Sequence, residues 1–118
     1  MRVNYLGPAI PGLTNPCVST LGIKDISPRC YLVEVSDEAG IDGEIMEGDV
    51  LVVDESAPLC HGDLAVLEVE RQLRLFYSHR IGGSHYVMEV GGGDEMFAKV
   101  KDFRGVVVRH FSLSAVVG

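Results

Sequence analysis

The run Leu64-Ala65-Val66-Leu67-Glu68-Val69-Glu70-Arg71-Gln72-Leu73-Arg74-Leu75-Phe76-Tyr77 decides how this chain is read. Leu73 and Leu75 alternate with Gln72, Arg74 and Phe76, the period of two expected of a half-buried strand. Just before it, Leu64, Val66 and Glu68 alternate with Ala65, Leu67 and Val69, a mixed pattern that implies burial on both faces near its start. Two strand-length runs this close predict a hairpin turning at Glu70-Arg71. That dipeptide lacks the φ > 0 preference of Asn-Gly or Asp-Gly, so the turn itself lends the hairpin no support.

Outward from this hairpin, further runs of strand length cover Tyr31–Val35, Val50–Asp54, His85–Val90, Met96–Val100 and Gly105–Phe111, each bounded by Gly, Pro, Ser or Asp. Residues 1–30 carry Pro8, Pro11, Pro16 and Pro28 and show neither helical nor strand periodicity, which predicts an extended, turn-containing N-terminal arm. At 118 residues the chain is one domain, large enough to fold without disulfides or metal. The expectation is a mostly β protein: an arm over 1–30, then a compact domain of twisted antiparallel sheets or a partial barrel over 31–118. Gly91-Gly92-Gly93-Asp94 reads as a connector, since no following helix or Lys-Ser/Thr supports a phosphate loop.

The net charge is −7, with ten Lys and Arg against seventeen Asp and Glu, which disfavours a phosphate-neutralising nucleic-acid surface. No stretch approaches the roughly 18 consecutive apolar residues of a membrane span. Met1 to Leu13 has no sustained apolar segment of a secretory signal, so a cytoplasmic location is expected. Cys17, Cys30 and Cys60 are widely spaced, as free thiols in a reducing compartment rather than disulfide or metal ligands. No cofactor is expected.

Val35-Ser36-Asp37-Glu38-Ala39-Gly40-Ile41-Asp42-Gly43-Glu44-Ile45-Met46-Glu47-Gly48-Asp49, followed by Val50-Leu51-Val52-Val53-Asp54, resembles the start of the LexA/UmuD-type peptidase domain. Cys60-His61-Gly62-Asp63-Leu64-Ala65-Val66 is similar to that family's turn into its next strand, and Phe103-Arg104-Gly105-Val106-Val107-Val108-Arg109 to its final strand. The resemblance spans residues 31 to 111 and implies the fold of the LexA C-terminal domain. It also implies a Ser-Lys dyad, in which a buried neutral Lys takes the proton of the nucleophilic Ser. Here Ala39 stands at the Ser position and Phe76 at the Lys position, and no Lys occurs between Lys24 and Lys99. The scissile Ala-Gly or Cys-Gly pair is also missing: counting back from Ala39 reaches Val3 to Tyr5. The chain begins about where a cleaved family product would begin.

The resemblance therefore implies a pseudo-peptidase acting through protein–protein contact. Expected partners are a second copy or a heterodimer with an active relative, an error-prone polymerase or a phage repressor, in the DNA-damage (SOS) response or in phage control. The corresponding interface would comprise Gly105, Val106, Val107, Val108, Arg109, His110 and Phe111. Phe76 is read first as core filling and second, with Ala39, as the wall of an apolar peptide pocket. Asp37, Glu38, Asp42, Glu44, Glu47 and Asp49 form either a solvated turn ordered by Asp49 or a surface selecting a basic partner. His61 reads as part of its turn, and His79 with His85 as solvated loop residues or a weak metal pair. The alternative from another class is a hydrolase built on Ser36 or Ser84 with His85.

Overall fold

The computed structural model describes residues 1–9, 29–36, 41–42, 45–92, 95–97 and 99–112, with Ile41 and Asp42 described by backbone alone. In chain order the strands are β1 (Val3–Pro8), β2 (Cys30–Val35), β3 (Ile41–Asp42), β4 (Ile45–Met46) and β5 (Val50–Asp54). After them come β6 (Leu64–Val69), β7 (Gln72–Ile81), β8 (Ser84–Glu89), β9 (Glu95–Phe97) and β10 (Phe103–Phe111). A single 3₁₀ turn, Val100–Asp102, leads into β10, and no α-helix occurs among the described residues. Eight strands form one antiparallel sheet in the order β1-β2-β5-β10-β6-β7-β8-β9, while β3 and β4 pair separately.

The sheet curls into a half-barrel because its two distant strands meet. Arg2 bridges Arg74 of β7, the Leu75 N–H donates to the Met1 carbonyl at 2.8 Å, and the Gln72 side-chain amide reaches the Val3 carbonyl at 3.3 Å. Inside the curl, Met1, Val3, Tyr31, Val33, Val35, Ile45, Leu51, Val53, Val66, Leu75 and Val90 form the main core. Outside it, Leu32, Val50 and Val52 pack with Ala9 and Phe111, and Ala65, Leu67, Phe76 and Val87 pack with Leu59 and Phe103. Both faces of β2, β5 and β6 are thus apolar, which is why their sequences run as near-continuous Val and Leu rather than alternating.

Within the expected arm, Val3–Pro8 is a strand of the sheet, paired along β2 from Val3↔Val35 to Pro8↔Tyr31. A register shift between Tyr5 and Gly7 interrupts the alternation, and this hides the strand from a period-two reading. Residues 10–28 lie outside the described residues. Phe76 also departs from the half-buried pattern, since it is buried on the face opposite Leu75 beneath Leu59 and Phe103.

The hairpin of β6 and β7 is present, in register from Leu64↔Tyr77 to Val69↔Gln72. Its turn residues adopt φ of 54° at Glu70 and 65° at Arg71, the left-handed pair of a tight two-residue turn. Side chains with a Cβ bear a steric cost there that Asn and Gly largely avoid. Replacing Glu70-Arg71 with Asn-Gly should therefore raise unfolding stability by about 1 kcal/mol. Urea titration of the two proteins checks this.

Closure of the curl also carries a pH dependence. Burial alone would push the Glu89 carboxyl up. Hydrogen bonds from the Met1 ammonium at 2.5 Å and from Arg74 at 2.9 Å outweigh it and hold the carboxyl below its ordinary value of 4.5. A carboxyl whose folded value is depressed stabilises the fold above its unfolded value and loses that contribution as pH falls through the folded one. Stability should decline as pH drops below about 4.5, and Glu89→Gln should flatten that part of the profile while lowering stability at neutral pH. Thermal melts between acidic and neutral pH measure both.

Candidate functional site

Two regions gather polar chemistry. The first is the base of the curl, built by the turns that carry the family resemblance. Val35 and Asp49 exchange backbone contacts (Val35 N–H to the Asp49 carbonyl, 2.8 Å), and the Gly48 N–H returns to the Val35 carbonyl at 2.9 Å. Gly48 adopts φ of 88°, a conformation that favours glycine. The Asp49 side chain, 1 % exposed, accepts from the Met46 N–H at 3.0 Å and sits 2.6 Å from the His110 Nε2 on β10. Asp49 therefore orders this turn from a buried position and ties it to the last strand.

The second of these turns is held in the same way. The Asp63 carboxylate accepts from the Cys60 N–H at 2.9 Å, and Gly62 takes φ of 86°. The buried Ser78 hydroxyl donates to the Cys60 carbonyl at 2.7 Å, and His61 Nδ1 accepts from the Arg80 N–H at 3.0 Å. His61 is a turn residue whose ring lies 6.1 Å from that of His79.

Of the two dyad positions, Ala39 lies outside the described residues, as do Asp37, Glu38 and Glu44. Phe76 lies in β7, paired with Ala65 on one side and Glu89 on the other, and is 2 % exposed among Ala65, Leu67 and Val87. Its ring presents no surface to an incoming peptide, so at this position core filling accounts for the aromatic.

The alternative hydrolase residues are not brought together. Ser84 and His85 are successive residues of β8, so their side chains leave opposite faces. Ser36 is joined to Arg2, which bridges Arg74, whereas His85 pairs with Arg80, on the order of 20 Å further along β7. His79 pairs with Tyr86 and His85 with Arg80, which puts the two histidines on opposite faces as well. His85 lines a small apolar cavity of about 160 Å³ with Leu59, Leu67, Lys99, Val100 and Phe103, and its Nδ1 has no hydrogen-bond partner among the described residues.

The second region is the open mouth at the other end of the curl. A cleft of about 410 Å³ is lined by Tyr5, Tyr31, Glu55, Glu68, Leu73 and Arg104, with Pro8 and Cys30 at its side. The Tyr5 and Tyr31 rings lie 5.6 Å apart, and Tyr5 is 59 % exposed. Arg104 is the extra residue of a bulge between Phe103 and Gly105, which re-aims its side chain into the mouth. Its guanidinium donates to the Lys101 carbonyl at 2.8 Å and reaches Glu68 at 3.4 Å. Its carbonyl accepts from the Tyr31 hydroxyl at 2.7 Å. Burial, and then the negative charge of Glu55, push the Tyr31 phenol well above its usual value, so it remains a donor at every ordinary pH. Sequence reading missed this cleft because its residues come from strand ends scattered from Tyr5 to Arg104. The one available signal was a set of polar and aromatic residues where each apolar run stops.

Comparison with protein-family models and with curated proteins returned no match.

The packing around Phe76 generates a direct test. Phe76→Lys, which places the family's base in this chain, should destabilise it by about 3 kcal/mol or more, because an ammonium replaces an aromatic ring in an apolar cluster. Guanidinium unfolding of the variant measures the loss.

Proposed function

We propose that this chain is a non-catalytic domain of the LexA/UmuD type that acts by binding protein, in the first instance a second copy of itself, through the outer half of β10. The observation that carries this reading is the unequal pairing of that strand. Phe103, Gly105 and Val106 pair with β6, whereas Val106, Val107, Arg109, His110 and Phe111 pair with β5. Gly105 and Val106 are buried between those neighbours and offer no surface. Beyond Val107 the strand runs past β6, and no strand pairs with its second edge among the described residues.

Val108, 46 % exposed, stands at a register shift with Arg109 and His110 exposed beside it. An edge of this kind is a template for strand addition, and two copies related by a two-fold axis would pair it antiparallel. The buried Phe76 supports the loss of dyad chemistry, and the ordered turns at Asp49 and Asp63 support the family frame. The same edge would serve a heterodimer with an active relative, a polymerase or a repressor in the cytoplasm, which fits a role in DNA-damage or phage control.

Sedimentation equilibrium tests the reading. The wild-type chain should be dimeric, and Val108→Lys should weaken association at least about tenfold by placing like charges at a two-fold contact. A wild-type chain that stays monomeric at its highest soluble concentration would count against it.

A further inference from the structure

We infer that the mouth of the curl is a binding site for a guanidinium group, with the Glu55 carboxylate as its counter-charge and the Tyr5 and Tyr31 rings as its wall. A volume of about 410 Å³ is ample for such a group and its aliphatic stem. The charges in the cleft are unequal. Arg104 is already engaged by Glu68 and by the carbonyls of Lys101 and Phe103. Glu55 lines the same cleft, with its backbone N–H bonded to the Arg29 carbonyl at 3.3 Å, and its carboxylate takes no hydrogen bond or ion pair among the described residues.

A carboxylate left over beside two aromatic rings selects a cation rather than an anion or a neutral ligand. Among cations, a guanidinium fits best. Its plane stacks on an exposed ring such as Tyr5, and its fork of donors matches a carboxylate with two N–H bonds. Leu73 and Pro8 supply the apolar contact that an alkyl stem requires. The Tyr31 hydroxyl is committed to the Arg104 carbonyl, so this wall is held rigid before a ligand arrives. The acidic balance of the whole chain, −7, adds a field that draws a cation in.

The same chemistry has two sources, a free guanidine or an arginine side chain of a partner protein. Titration with agmatine, with N-acetyl-arginine-N-methylamide and with the neutral N-acetyl-citrulline-N-methylamide separates them, read by amide and aromatic NMR shifts at Tyr5, Tyr31 and Glu55. Saturable shifts are expected with at least one guanidinium probe and none with the citrulline compound. A preference for agmatine assigns a free guanidine, and a preference for the blocked arginine assigns a partner's side chain. Glu55→Gln should weaken the bound probe about tenfold, and Tyr5→Leu should weaken it less. Because Glu55 and Tyr5 are exposed, neither change disturbs the core. Linear, unsaturated shifts with every probe, equal binding of the citrulline compound, or undiminished binding to Glu55→Gln would each overturn the assignment. The Val108→Lys chain, weakened in self-association, should bind the probe as the wild type does, so failure of this site and failure of the dimer are told apart.

Discussion

The rest of the structure depends on the fit of β10 between β5 and β6. Those two strands follow one another in the chain but do not touch as neighbours in the sheet; the last strand fills the gap. Without it β1-β2-β5 and β6 to β9 would be joined only where the chain start meets β7, through the Arg2–Arg74 bridge and the hydrogen bonds beside it. The fit is close. A Cβ on Gly105 would meet the Val53 Cγ1 at 2.6 Å and the Asp54 carbonyl oxygen at 2.9 Å, and its φ of 138° excludes most side chains. Glycine is needed here because β10 must approach β5 backbone to backbone while turning a bulge against β6. The His110 contact with buried Asp49 fastens the other end of the strand to the turn before β5.

Both proposed binding features follow from the irregularities of this one strand. The shift beside Gly105 sends Arg104 into the mouth, where its carbonyl anchors the Tyr31 hydroxyl. The shift beside Val108 leaves that residue exposed on a strand that has outrun its neighbour. Bulges recur at sheet edges and next to sites because they re-aim side chains without ending the strand.

Much of the sheet was legible beforehand. Val50–Asp54 is a strand to the residue, and Leu64–Val69 with Gln72 onward forms the expected hairpin. These runs were readable because β-branched and aliphatic residues accumulate wherever a strand is buried on both faces. The turn chemistry at Glu70-Arg71 gave no help, and cross-strand packing imposed positive φ on two residues that do not favour it. Val3–Pro8 was not legible, because Gly7, Pro8 and a register shift break its alternation. The two dyad positions fare differently: Phe76 is placed in the core, and Ala39 lies outside the described residues.

By itself the amino-acid order determined the β class, the approximate places of β2, β5 to β8 and β10, and the absence of a titratable side chain at position 76. Those are local properties, set by side-chain shape, polarity and chemical identity. It set the run Met96–Val100 too late, where the strand is Glu95–Phe97 and Val100 opens a 3₁₀ turn. Tertiary structure alone decided that position 76 is buried on the face opposite Leu75, and that β10 enters between β5 and β6. It also decided that Tyr5, Tyr31, Glu55 and Arg104 converge on one cleft. The physical reason is that strand order and curl follow from pairings over long sequence separation, which depend on how whole faces are buried together. No local pattern contains that information.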